Sequence, residues 1–171
     1  MSSLRLLFFF LSLFIFACAQ PKQKIKIPEN LLWNNFPRPF KGTILIDNTQ
    51  IPFKYYPSKD RLVFPLTLMG FVRYHNKTLC LLNYCKQYPI ELWRIIKHRL
   101  VLPNYKVSST ERGYAIYSSE GNLSVFLRTD RNFHPYEAQI CQPSQGCLNI
   151  KYLQRVVVVP FYTKRLEISL K

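Results

Sequence analysis

The side chains of this sequence that reach beyond packing and surface charge are its cysteines and histidines: Cys18, Cys80, Cys85, Cys141, Cys147, His75, His98 and His134. Cys141 and Cys147 flank the turn-rich segment QPSQG, so a hairpin would set them opposite each other within disulfide reach. Cys80 and Cys85 would lie about 17 Å apart in a straight strand, and that pair needs the chain to turn at Asn83-Tyr84. Four cysteines permit three pairings, and these two local bridges are the pairing expected. Zinc is the competing chemistry. Neither spacing is C-x2-C and no histidine sits beside either pair, so no metal site is expected.

The histidines give no catalytic constellation. His75 falls in a turn, His98 at the end of a helical pattern and His134 beside Pro135. No Ser, Cys or acid stands in a recognisable nucleophile setting, and five glycines include no G-x-S-x-G or phosphate-cradling loop; H-E-x-x-H is also absent. Asp130 and Glu137 lie near His134 and could be assembled with it, but a satisfied surface ion-pair group is the simpler account. The expected catalytic residues are therefore none, and the expected class is a non-enzyme. Two sequons, Asn76-Lys77-Thr78 and Asn122-Leu123-Ser124, are read as chance occurrences.

The elements that must carry these residues are mostly strands. From Lys41 onward apolar residues recur with period two, as in Ile44-Ile46, Leu123-Val125-Leu127, Leu148-Ile150-Tyr152 and Leu166-Ile168-Leu170. One apolar and one mixed face per strand marks an antiparallel sheet wet on one side. Turn chemistry separates the runs at Asp47-Asn48, Pro57 to Asp60, His75 to Lys77, Ser119 to Asn122, Pro143 to Gly146 and Thr163-Lys164. About ten to eleven short strands result. One segment differs: residues 89–100 begin with Pro, carry Glu91 near the start and cations near the end, and align Ile90, Trp93, Ile96 and Leu100 on one stripe. This predicts an amphipathic helix of about three turns lying on the concave face of the sheet.

The first twenty residues decide where those cysteines can pair. Arg5 precedes an apolar run from Leu6 to Ala17, which is short of the roughly 20 residues a membrane-spanning helix needs, and small residues follow it. It reads as an export signal, and export places the cysteines in an oxidising compartment. Ile15-Phe16-Ala17-Cys18 resembles the lipobox of bacterial lipoproteins, with Phe16 departing from the small or β-branched residue usual there. The resemblance implies diacylglycerol and an N-acyl chain on Cys18 and no other cofactor. Ala19, where an inner-membrane-retained lipoprotein has Asp, implies an outer-membrane destination in an envelope of two membranes, and the periplasmic face is the side expected. Ala17-Cys18-Ala19 is also an A-x-A site, whose cleavage would release a soluble periplasmic protein.

Removing residues 1–17 leaves 154 residues, enough for one domain, in which 23 Lys and Arg face 9 acids for a net charge of +14. In an exported protein that charge points to lipid headgroups, glycolipid phosphates or cell-wall polymers and away from nucleic acid. Residues 18–40 hold four prolines and read as a basic tether, with Leu31, Leu32, Trp33 and Phe36 apolar enough to form a short helical lid; residues 41–171 form the β domain.

The order of parts in residues 40–171 resembles the LolA/LolB-like lipoprotein-binding family. The matching runs are Asp60 to Pro65 leading to Leu68-Met69-Gly70, and Val159-Pro160 leading to Leu166-Glu167-Ile168. The resemblance implies a mainly β fold, an open antiparallel half-barrel of about ten to eleven strands with the helix on its concave side. It implies acyl-chain or membrane contact at Leu68, Met69, Phe64, Phe71 and Trp93. The implied partners are membrane lipid or acylated protein cargo and a soluble carrier of LolA type, the protein itself being a monomer. A competing reading has no cavity and uses the basic surface on anionic lipids or glycans.

Overall fold

The computed structural model describes residues 25–33, 38–68 and 70–170. The export signal, Met69 and, within the tether, residues 18–24 (with Cys18) and 34–37 (with Phe36) lie outside them. Among the described residues there are thirteen strands: β1 Phe40–Ile46, β2 Thr49–Tyr56, β3 Arg61–Val63, β4 Val72–His75, β5 Thr78–Leu81, β6 Tyr84–Gln87, β7 Asn104–Thr110, β8 Gly113–Glu120, β9 Leu123–Asp130, β10 Pro135–Gln142, β11 Gly146–Leu153, β12 Val156–Phe161 and β13 Lys164–Leu170; all but β6 and β7 bury side chains on one face. Ten of them form one antiparallel sheet in the order β3-β2-β1-β13-β12-β11-β10-β9-β8-β7, and β4, β5 and β6 form a second, smaller sheet.

The large sheet is a meander joined at its middle by β13 returning to pair with β1, and it stays open between β3 and β7. It is the mainly β, open antiparallel half-barrel expected from the sequence. Tight turns keep the strands adjacent. Asp47 and Asn48 both adopt left-handed φ (46° and 65°) between β1 and β2, as Asn76 and Lys77 (48° and 64°) do between β4 and β5. Two left-handed residues are what a two-residue hairpin turn requires if its twist is to match that of the strands. Along the inner strands of the large sheet every second residue, for example Ile44, Phe53, Leu127, Ile150 and Ile168, is buried on the inner face, whereas the edge strand β7 buries none. Each such Leu, Ile, Val or Phe contributes about 1.5–3 kcal/mol relative to exposure.

The chain crosses from edge β3 to edge β7 through residues 64–103, and this crossover supplies the small sheet and the helix. The helix α1 is Leu92–Ile96, five residues instead of the expected 89–100. Glu91 is still extended before it, and His98 turns left-handed (φ 59°) just after it. The reason for the early stop is tertiary. A helix this short is not stable alone; beyond it, Leu102 N–H and Leu100 C=O bond the hydroxyl of Ser118 on β8 in place of intrahelical partners. All five helical residues are buried, so α1 has no wet face and fills the concavity. Tyr152 on β11 donates to Ile95 C=O at 3.0 Å and fixes the helix to the sheet.

The described part of the N-terminal segment packs on this plug. Glu29–Leu31 forms a single 3-10 turn with Leu31 buried, and Leu32 makes a parallel bridge with Val101. The Arg94 guanidinium stacks 3.6 Å above the Trp33 ring, and Arg99 donates to Glu29 C=O at 3.2 Å.

Both local cysteine pairs stand at disulfide distance. Cys141 and Cys147 face each other across the β10–β11 hairpin with sulfurs 2.05 Å apart, and Cys80 and Cys85 do so across β5–β6 at 2.02 Å. The second hairpin turns at Leu82-Asn83, one residue earlier than the sequence suggested.

Candidate functional site

Three turns converge on one end of the half-barrel. The β1–β2 and β12–β13 tips bring Asp47, Tyr162, Thr163 and Lys164, and the β5–β6 tip of the small sheet brings Leu82, Asn83 and Tyr84. Between them lies a cleft of about 900 Å³. Its walls are mainly apolar: Ile46 and Ile51 on the large sheet, Val72 and Leu81 on the small one, with Leu68 and Phe71 from the β3–β4 connection and Phe161 at the rear.

The rim of the cleft is apolar in solvent. Phe71, Leu82, Tyr84 and Tyr162 are exposed at 55%, 56%, 67% and 58%, and the adjacent Leu66 at 84%. Two of them are held in unfavourable backbone states, Leu82 at φ 55° and Tyr162 at φ 54°. A bulky residue in this region is disfavoured where Gly or Asn would sit freely, and such outliers concentrate at functional sites.

The small sheet that forms one wall is tied to the large sheet at both ends. At the cleft, Tyr162 donates its hydroxyl to Cys85 C=O at 2.5 Å and packs edge-on against Tyr84, with ring centroids 6.3 Å apart. Lys86 Nζ and the Tyr88 hydroxyl donate to Pro160 C=O at 3.1 and 3.3 Å. Across the tip of the large sheet Lys164 pairs with Asp47. At the far end, Asp60 turns left-handed (φ 41°) after the 3-10 turn Pro57–Lys59 and gathers the Tyr55 hydroxyl, the Tyr74 hydroxyl and the Lys77 N–H on its carboxylate. Burial is the main cause that holds both tyrosines neutral well above their ordinary range, with the neighbouring Asp60 charge adding to it.

The residues expected to touch acyl chains divide in two. Leu68 and Phe71 line the cleft, Leu68 from the 3-10 turn Leu66–Leu68. Phe64 and Trp93 are buried in the core; Met69 lies outside the described residues. Leu66, Leu82, Tyr84 and Tyr162 were not singled out from sequence. Their signal was available in Leu82-Asn83 and Tyr162-Thr163, where bulky apolar residues occupy turn positions that small or polar residues normally take.

The histidine-centred group is not assembled as one site. His134 pairs with Asp130 at 3.1 Å, while Glu137 pairs with Arg128 at 3.1 Å on the exposed face. Burial first, then the Lys97 and His134 charges, lowers His98 to about 4, and its ring stands edge-on to Tyr152. Among the described residues no three His, Cys, Asp or Glu side chains gather as a metal site, and no helix is long and apolar enough to cross a membrane.

Comparison with known proteins gives no match to any family model, curated protein or solved structure.

Proposed function

We propose that this protein is an exported, non-enzymatic envelope protein that holds acyl chains, of lipid or of acylated protein, in the cleft between the hairpin tips and the small sheet. The observation that carries this reading is the set of bulky apolar side chains kept in solvent around an apolar cleft, two of them at strained backbone positions. A soluble domain rarely leaves such a patch uncovered without a ligand or membrane to meet it.

The physics requires no covalent step. Each methylene moved from water into the cleft contributes about 0.8 kcal/mol, and cargo leaves when an adjoining bilayer offers equal burial. In the LolA/LolB-like reading, Cys18 carries diacylglycerol and an N-acyl chain, anchors the domain at the outer membrane, and accepts cargo from a soluble carrier of LolA type. Cations near an anionic surface add about 1 kcal/mol each, which gives the net charge of +14 on the chain after residue 17 a role in holding the domain at the bilayer.

The test is titration of the mature protein with a fluorescent fatty acid and a fluorescent diacyl lipopeptide. Saturable, stoichiometric uptake that Leu82→Glu with Tyr162→Glu abolishes, with the fold intact by circular dichroism, is the expected result. Binding only to anionic vesicles, lost in high salt and with no uptake of monomeric acyl chains, would replace it with the surface-charge reading.

A further inference from the structure

The concavity opens a second time at the opposite end of the half-barrel, where the β9–β10 and β11–β12 turns lie. Successive turns of a meander alternate between the two ends of its sheet, so these turns stand away from the β12–β13 tip that borders the first cleft. The second cleft has a volume of about 1030 Å³. Its floor is apolar and belongs to the core: Ile96 from α1, Tyr152 from β11, Val157 from β12 and Ile168 from β13 are all buried. Phe133 and Leu170 extend it toward solvent.

The charges on its rim are not equivalent. Asp130 is consumed by its own turn, with Oδ1 accepting the N–H groups of Asn132 and His134 at 2.8 Å each and Oδ2 meeting His134 Nδ1 at 3.1 Å. Those bonds, the backbone N–H of His134 first, hold its carboxyl below the usual range. His98 is kept neutral by burial against Tyr152. Arg155, exposed in the β11–β12 turn, has no carboxylate or carbonyl partner among the described residues. The rim also carries the neutral amides of Asn30 and Gln154. The cleft thus joins an apolar floor to one unspent positive charge.

We infer that this second cleft binds an amphipathic anion, a carboxylate or phosphate on an apolar body, with Arg155 as the charge partner and the accessible side chains of Phe133, Leu153 and Leu170, above the buried floor, taking the apolar part. A guanidinium presents a planar fork of donors suited to either headgroup. The site is separate from the first cleft, and its occupancy does not depend on acyl-chain binding there.

The experiment is amide-resolved NMR titration of the mature protein with three probes of equal chain length: decanoate, decyl phosphate and decyltrimethylammonium. The expected result is saturable shifts at Phe133, His134, Gln154 and Arg155 with one or both anions. The cation should bind at least roughly tenfold more weakly, and Arg155→Glu should weaken anion binding by a similar factor, while Arg155→Gln gives an intermediate loss. Stronger binding of decyl phosphate or of decanoate identifies the headgroup. The inference is overturned if neither anion gives saturable shifts there, if the cation binds as well, or if Arg155→Glu and Arg155→Gln change nothing. Phe71, Tyr84 and Tyr162 in the same spectra report the first cleft, so failure at either end is read separately.

Discussion

The Tyr74 hydroxyl lies 2.9 Å from Oδ1 of Asp60 and, at 3.0 Å, accepts the N–H of Leu92, the first residue of α1. One side chain on the small sheet therefore connects the β2–β3 turn to the start of the helix that fills the concavity. Because Tyr74 is buried, its loss leaves the Leu92 N–H without this acceptor. Tyr74→Phe is expected to lower unfolding stability by about 1–3 kcal/mol in urea titration. An unchanged midpoint would show that the connection carries no stability.

Tyr74 and Tyr55, whose hydroxyls share the Asp60 carboxylate, set an alkaline limit. Their folded pKa values are raised above the ordinary 10.0, first by burial. The unfolded chain loses these protons more readily, so their contribution is complete below pH 10 and declines as pH rises beyond it. Stability measured from pH 8 to 11 should fall above about 10, and Tyr74→Phe should fall less steeply.

On the acid side His98 acts with the opposite sign. Its folded pKa is about 4 against an ordinary 6.5, so the unfolded chain takes up the proton first. Stability from this group is present above pH 6.5 and is lost as pH falls toward 4, by at most about 3 kcal/mol. His98→Asn removes the titration, and Asn tolerates the left-handed φ of 59°. The slope of stability between pH 6.5 and 4 should flatten in this variant; an identical slope would place the acid sensitivity elsewhere.

Gly42 is demanded by packing at the β1–β13 seam. A Cβ there would stand 2.5 Å from Ser169 C=O and 2.6 Å from the Phe53 ring. Phe53 is free to move only within the core, and the carbonyl belongs to the ladder that closes β13 onto β1. Gly42→Ala should cost about 1–3 kcal/mol of stability by thermal or urea unfolding. A neutral effect would mean that the seam adjusts freely.

The period-two runs made the sheet readable, because an inward side chain at every second position leaves the same imprint in each strand. Turn residues such as Asp47-Asn48 and Asn76-Lys77 marked the hairpins, since few residues accept left-handed φ without cost. The length of α1 was not readable. The stripe Ile90, Trp93, Ile96 and Leu100 suits a helix, yet Leu100 is buried outside the helix, where its own C=O and the Leu102 N–H bond the Ser118 hydroxyl. Nor was the division of the crossover into a second sheet, because β4 and β5 have the same alternation as the strands of the first and β6 has none to mark it. The candidate site was half legible: Leu68 and Phe71 belong to it, whereas Trp93 became core because the helix that carries it is covered on all sides.

The proposed acyl-chain site is tested most directly by photocrosslinking. Mature protein is incubated with a diacyl lipopeptide bearing a diazirine in its acyl chain, irradiated, and mapped by peptide mass spectrometry. Crosslinks confined to Leu68, Phe71, Leu82, Tyr84 and Tyr162, competed by unlabelled lipopeptide, are the predicted result. Crosslinks absent, uncompeted, or spread over the outer face of the large sheet would contradict it.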